Sequence, residues 1–201
     1  MKKLIKSILT RNYQAEYQDK LAFFYFKSCH KIIDIGCGKG RFIKLDPKRI
    51  SGIDSNKNTV KHCHSQNLKV KLGQATKIPY QANSLDGIHC SHLIEHLTPK
   101  QVYVFLKEAS RVLKPGGVLV IRTPVLWSGF YDNLTHLKPY SPRSITRYLV
   151  ENAPDVTLPR LKSKFEVIKL HYRYKPLISI LYPYIYKPIK TGYLLALKKL
   201  S

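Results

Sequence analysis

Two clusters in this chain combine residue types and spacings that can do chemistry. The first is Asp34-x-Gly36-x-Gly38-x-Gly40, lying in residues 31–41, with Asp54 closing a second apolar run at 49–54. Glycine at 36, 38 and 40 lets the backbone turn tightly and approach a ligand where a Cβ would intrude. A glycine turn after one strand and an acid at the end of the next form the geometry of a nucleoside pocket. The acid accepts from the ribose hydroxyls while the turn cradles the rest. The second cluster is Ser91, His92, Glu95 and His96, with His136 further along. If the segment turns helical, His92, Glu95 and His96 stand at i, i+3 and i+4 and share a face. Imidazoles and a carboxylate on one rim can supply a general base near neutral pH. They can equally hold a divalent metal.

These clusters need elements to position them. Residues 31–35 and 49–54 read as the first two strands. Residues 84–90 read as a fourth, entered through a polar turn. Residues 99–121 give a helix, the turn Lys114-Pro115-Gly116-Gly117 and an apolar fifth strand, Val118 to Ile121. Residues 12–28 read as an amphipathic helix ahead of strand one, with Leu21, Phe24 and Phe26 inward. Strand and helix signals alternate through residue 121, as a doubly wound parallel sheet requires. Ligands of such sheets sit outside the carboxyl ends of the strands, so the loop 124–140, carrying His136, should border the site. Ser141 as N-cap and Pro142 at the first position start a helix to about Asn152. Residues 165–172 and 191–197 read as sixth and seventh strands.

The 201 residues suit one domain, and 44% hydrophobic content is ample for a packed α/β core. No run approaches the roughly 20 apolar residues of a membrane span. The basic start, Lys2, Lys3 and Lys6, lacks the apolar stretch of a signal peptide. The four cysteines, at 29, 37, 63 and 90, form no C-x-x-C pair. Such usage fits a reduced, cytoplasmic setting. The net charge of +23 raises encounter rates with polyanions such as RNA or anionic lipid, or reflects a lysine-rich bias that maintains solubility. No RNA-binding module signature accompanies it. Residues 176–188 are apolar, aromatic and proline-broken, flanked by Arg173, Lys175, Lys187 and Lys190. They suit contact with an anionic membrane surface, peripheral to the inner membrane, or a substrate lid or packing insertion.

On these residues the chain resembles the class I S-adenosylmethionine (SAM) methyltransferases. Asp34-x-Gly36-x-Gly38-x-Gly40 is similar to their motif I, and differs from the G-x-G-x-x-G of pyrophosphate-binding folds. An acid at Asp34 suits a cationic sulfonium ligand. Residues 73–80 resemble the segment that closes over the adenine, with Gln74 where many members carry an acid. The Leu113-to-Gly117 stretch between helix and strand is another shared feature. The resemblance implies a Rossmann-like, doubly wound seven-stranded α/β sheet with its last strand antiparallel. The methyltransferase domain would span 31–201, with a helical segment at 1–30 and a proline/aromatic insertion near 174–190. It implies SAM contacts from Asp34, Gly36, Cys37, Gly38, Gly40, Asp54, Ser55, Gln74, Ala75, Ser91 and His92.

His136, His96 and Glu95 are the catalytic candidates. The segment 91–97 resembles the E-x-x-E-H…H metal site of small-RNA 2′-O-methyltransferases and the E-x-x-E-H segment of ubiquinone-pathway O-methyltransferases. Here His92 replaces the first glutamate, which moves metal preference from Mg²⁺ toward Zn, Fe or Mn. A divalent metal is therefore the alternative and not the reading adopted. Residues 135–142 resemble a segment of bacterial methyltransferases encoded alongside polysaccharide assembly, in which the histidine faces the acceptor. The expected reaction is O-methylation of a small-molecule or glycan/lipid-linked acceptor. The alternatives are an RNA methyltransferase of 2′-O type and a non-catalytic methyltransferase-like subunit.

Overall fold

In the computed structural model, residues 11–151, 158–159, 161, 164–175 and 189–201 are described. The elements run α1 (Arg11–Phe24), β1 (Ile32–Ile35), β2 (Ile50–Asp54), α2 (Lys57–Ser65), β3 (Val70–Leu72), β4 (Leu85–Ser91), α3 (Pro99–Val112), β5 (Leu113–Pro124), α4 (Pro142–Leu149), β6 (Phe165–Lys175) and β7 (Ile189–Lys199). Short 3₁₀ turns fall at Ile43–Leu45, Ile94–His96 and Phe130–Asp132. Seven strands form one sheet in the order β3-β2-β1-β4-β5-β7-β6. The pairs from β3 to β5 are parallel, and β7 runs antiparallel to both neighbours. This is the expected doubly wound sheet with its last strand reversed.

Strand side chains alternate between faces, and each face feeds its own core. Ile33, Ile35, Leu119, Ile121, Leu195 and Leu197 pack on one side with Phe105 and Leu106 of α3. Ile32, Val118, Val120, Leu194 and Ala196 pack on the other with Phe26, Phe42 and Cys63. Burial on both faces explains why these strands read as continuous apolar runs rather than alternating ones. The helices start where their caps dictate. Thr98 and Gln101 form a capping box with Pro99 in the first turn of α3, and the Ser141 hydroxyl accepts from the Ser144 N–H at the start of α4.

Boundaries differ from the expectation in four places. The first helix stops at Phe24, which is 55% exposed, while Phe26 is buried in the turn beyond it. The Lys114–Gly117 turn is absorbed into β5 as an irregularity. Pairing with β4 jumps from Leu85↔Leu113 to Gly87↔Val118, with Gly116 at φ +80°. Helix α4 ends at Leu149, short of Asn152. Strands β6 and β7 are longer than expected and take in 174–175 and 189–190 of the insertion. Residues 176–188 and 1–10 lie outside the described residues. Among the described residues no helix is long and apolar enough to cross a membrane.

Candidate active site

The turn after β1 places Gly36, Gly38 and Gly40 at φ +70°, +51° and +73°. Gly36 and Cys37 donate backbone N–H groups to Ile53 O at 2.9 and 3.1 Å, which fixes the turn against β2. A Cβ on Gly38 would meet nothing within 4 Å, so the turn opens onto free space. Asp54, at the end of β2, accepts from the Gly38 N–H at 3.0 Å and the Asn56 N–H at 2.9 Å. Each carboxylate oxygen thus keeps a lone pair for a further donor. Ser55 is exposed beside it. Cys37 is buried under the turn, where burial and the nearby Asp34 push its thiol pKa well up.

Asp34 points elsewhere than at an open ligand position. It is 4% exposed, and its Oδ1 lies 2.7 Å from Nδ1 of the buried His89. Gln74 is exposed and bridges to Lys77, and Ala75 is half-buried against the core.

The second cluster is not the helical face expected from its spacing. His92 sits at φ +53° before a single 3₁₀ turn, so it leaves the face that the helix would have made. Its Nδ1 lies 3.1 Å from Glu95 Oε1, while the Thr123 hydroxyl donates to Glu95 Oε2 at 2.9 Å. Glu95 is fully buried. Burial raises its pKa, but the His92 hydrogen bond and charge, with Thr123, overcome this and hold it below the usual carboxylate range. His96 Nδ1 faces Thr135 O at 2.9 Å, and His136 Nδ1 faces Phe130 O at 2.6 Å. A carbonyl only accepts, so in both rings Nδ1 carries the proton and a neutral ring offers its Nε2 lone pair. The two rings stand 4.9 Å apart. One ligand-capable atom from each of Glu95, His96 and His136 lies within 4.8 Å of the others. His136 therefore reaches the cluster from the loop after β5, and among the described residues His92 stands outside that trio.

Sequence reasoning missed a set of arginines on the same rim. Arg122, 5% exposed at the end of β5, donates from Nε to Ser91 Oγ at 2.8 Å. Its Nη1 lies 2.9 Å from Oδ1 of the buried Asp19 on α1, which also pairs with Arg41. Burial lowers the Arg122 pKa, with Asp19 opposing. The available signal was a cation at 122 inside an otherwise apolar strand, since lone charges are seldom buried without a partner.

Comparison with known proteins agrees with this architecture. A methyltransferase-domain family model matches residues 33–121. A probable S-adenosylmethionine-dependent methyltransferase of Mycolicibacterium smegmatis is 30% identical over 143 residues, covering 68% of this chain and 52% of that protein. The tRNA (carboxymethyluridine(34)-5-O)-methyltransferase of Arabidopsis thaliana is 28% identical over 122 residues, 60% of this chain and 29% of that one. The chain thus spans about half or less of the length of these relatives. In fold, it superposes on a SAM-dependent methyltransferase from Archaeoglobus fulgidus with a TM-score of 0.71 at 22% identity, covering 92% of this chain and 93% of that one.

Turn, sheet order and sequence similarity together define the class: the chain belongs to the class I SAM-dependent methyltransferases. The residues present fit that family's donor. The glycine turn has open space at Gly38, and Asp54 is a half-buried carboxylate held in place by two backbone N–H groups.

Proposed function

We propose that this chain O-methylates a small-molecule or glycan/lipid-linked acceptor, with His136 as general base and His96 and Glu95 beside it. SAM supplies a methyl group already activated on a positively charged sulfur. The chain's own work is to bind, align and accept a proton. Gly38 presents bare backbone to the donor, Gly36 and Gly40 shape the turn by leaving room for Leu93 and Leu68, Asp54 accepts from the donor's ribose, and Ser55, Gln74, Ala75, Ser91 and His92 line the remainder. Alignment of two bound reactants is worth roughly 7–11 kcal/mol of barrier. As the new C–O bond forms, the acceptor's hydroxyl proton passes to His136 Nε2 and the C–S bonding pair stays on sulfur.

The observation carrying this reading is the paired orientation of His96 and His136, each with Nδ1 committed to a carbonyl. Leu126, Tyr131, Leu134 and Leu137 of the same loop are all more than half exposed, Leu134 at 97%, and support an acceptor or surface with apolar character. The Glu95–His96–His136 trio would also accommodate a divalent metal, since each histidine has a carbonyl behind it to fix its tautomer.

Titration with S-adenosylhomocysteine (SAH), the demethylated donor, tests the donor half. Saturable binding is expected, and Asp54→Ala should weaken it about tenfold or more, the value of a hydrogen bond to a charged group. His136→Ala should leave that affinity unchanged and slow labelled methyl transfer to glycan or lipid-linked acceptors about 10²–10⁴-fold. No SAH binding by the wild type would leave only a non-catalytic subunit. The net charge of +23 and the tRNA-modifying relative favour a second reading, RNA as acceptor. It requires RNA affinity that falls steeply with salt; a flat response removes it.

A further inference from the structure

Outside the donor pocket, the loop between β5 and α4 is pinned on its inner side and apolar on its outer side. Phe130 and Tyr140 are buried, and the Tyr140 hydroxyl donates to Leu97 O at 2.8 Å. The Leu137 N–H donates to Glu95 O at 2.8 Å. A tight turn closes where the His136 N–H donates to Asn133 O at 3.0 Å, and Asn133 Oδ1 accepts from the Thr135 N–H and hydroxyl at 3.1 and 2.8 Å. Asparagine folds such turns by bonding the backbone two residues on. The turn carries Leu134 outward at 97% exposure, and Leu126, Tyr131 and Leu137 are also more than half exposed. A single exposed leucine is ordinary, whereas several apolar side chains displayed by one anchored segment mark a surface that meets an apolar partner.

Charge argues for which partner. Lys138 is exposed directly after Leu137. Lys100 is exposed in the first turn of α3, just past His96, whose ring faces Thr135 O of the loop at 2.9 Å. On the loop's other flank the Val125 N–H donates to Thr191 O at 3.3 Å, and the neighbouring Lys190 holds its ammonium 4.1 Å from the centre of the Tyr172 ring. Among the described residues no carboxylate pairs with any of these lysines. Arg173 does not join them: it is spent on Thr191 at 3.1 and 3.2 Å, with Gly192 leaving it room. Asp132 is the only acid between residues 124 and 143. Apolar side chains flanked by unpaired ammoniums match an anionic lipid bilayer, in which leucines enter the acyl boundary and lysines meet headgroup phosphates. Tyr131 suits the same boundary, with an apolar ring and a polar tip. RNA would engage the lysines but leave the leucines in water.

We infer that this loop docks the protein onto an anionic lipid bilayer. Leu134 and His136 are two residues apart, so docking brings the rim that carries His136 to the lipid surface. The methyl acceptor is then one presented at that surface. This last step rests on the methyl-transfer reading; the docking itself does not.

The loop holds its own reporter, since Trp127 is the only tryptophan of the chain. Vesicles of equimolar phosphatidylcholine and phosphatidylglycerol, in physiological salt, should shift its emission to shorter wavelength and carry the protein into the pellet on centrifugation. Pure phosphatidylcholine should bind at least tenfold more weakly. Leu134→Ser and Leu126→Ser should each weaken binding to the anionic vesicles about tenfold, as expected for one leucine leaving an apolar environment. Lys138→Gln should weaken it a few-fold. Both leucines face water, so thermal midpoints should match the wild type; should one variant shift, the other carries the comparison. Vesicle binding indifferent to both leucines overturns the inference, because the contact would then lie elsewhere in the chain. Absence of vesicle binding also overturns it, and Leu134-dependent self-association or RNA binding in its place would identify what covers the loop instead. Failure of the wild type to bind SAH is a different result: it removes the methyl-transfer reading and the acceptor step, and leaves the docking to be judged by the vesicles.

Discussion

Asp34 and His89 are register partners across the parallel pair β1 and β4, and their side chains meet at 2.7 Å with both residues buried. A carboxylate opposite Nδ1 fixes the proton there, and the imidazole stacks on Phe42 with centroids 3.7 Å apart. Its Nε2 is buried with no hydrogen-bond partner. His89→Ala should destabilise the protein by about 3–5 kcal/mol in urea unfolding, because Asp34 becomes an unpaired buried charge. Pairing Asp34→Asn with His89→Leu should recover much of that loss; equal loss in both variants would show that packing, not charge, is at stake. The sequence marks Asp34 as unusual, an acid inside an apolar strand. It does not mark His89, because only sheet register brings residue 89 to residue 34. The same limit hid Arg173 and Tyr193, whose company is set by antiparallel pairing.

At the scale of elements, α3 holds the segment expected to cover the adenine. Arg111 pairs with Glu108 through two contacts of 2.7 and 2.8 Å and donates to Tyr80 O and Ile78 O at 2.9 and 3.0 Å. Glu108 Oε2 accepts from the Ile78 N–H at 2.9 Å. The Arg111 hydrogen bonds, against burial, hold Glu108 below its ordinary pKa of 4.5. A depressed folded-state value means that the stabilisation is complete above about pH 4.5 and is lost as pH falls through the lower folded pKa. Glu108→Gln should therefore make the acid limb of the thermal midpoint less steep below that pH. It should also weaken SAH binding if residues 73–80 cover the donor; an unchanged limb would refute the clamp. The other strands and the capped helices at 99 and 141 were legible because buried parallel strands and caps leave strong local patterns, whereas the helix Lys57–Ser65 and the three-residue strand Val70–Leu72, with two of its residues exposed, left too little pattern to be placed. The helical face proposed for His92, Glu95 and His96 was not legible, because φ at His92 is a tertiary outcome.

For the whole molecule, one lysine ties the edge of the sheet opposite the rim. Lys199 is 5% exposed, and its Nζ donates to Asn83 Oδ1, Ser110 O and Leu113 O at 3.0, 2.9 and 2.8 Å. It joins β7 to the carboxyl end of α3, where helix carbonyls lack internal donors. Lys199→Met should cost about 1–3 kcal/mol by leaving those acceptors unsatisfied. SAH affinity should not move, since the rim lies at the other end of the strands; a large change would mean the two ends are coupled. The doubly wound α/β class was legible at this scale from alternation, while the reversed last strand came only with the family resemblance. The disposition of the +23 charge was not legible, since composition carries no coordinates.

Gly192 leaves a mark on how this protein can diverge. A side chain there would meet the Thr123 carbonyl at 3.0 Å, a backbone atom with little freedom to yield, and the Arg173 guanidinium at 3.3 Å, the end of a flexible side chain that can move aside. Losing the arginine would therefore not by itself admit a larger residue. Glycine at position 192 should outlast changes at position 173, because the main chain of the neighbouring strand sets the limit.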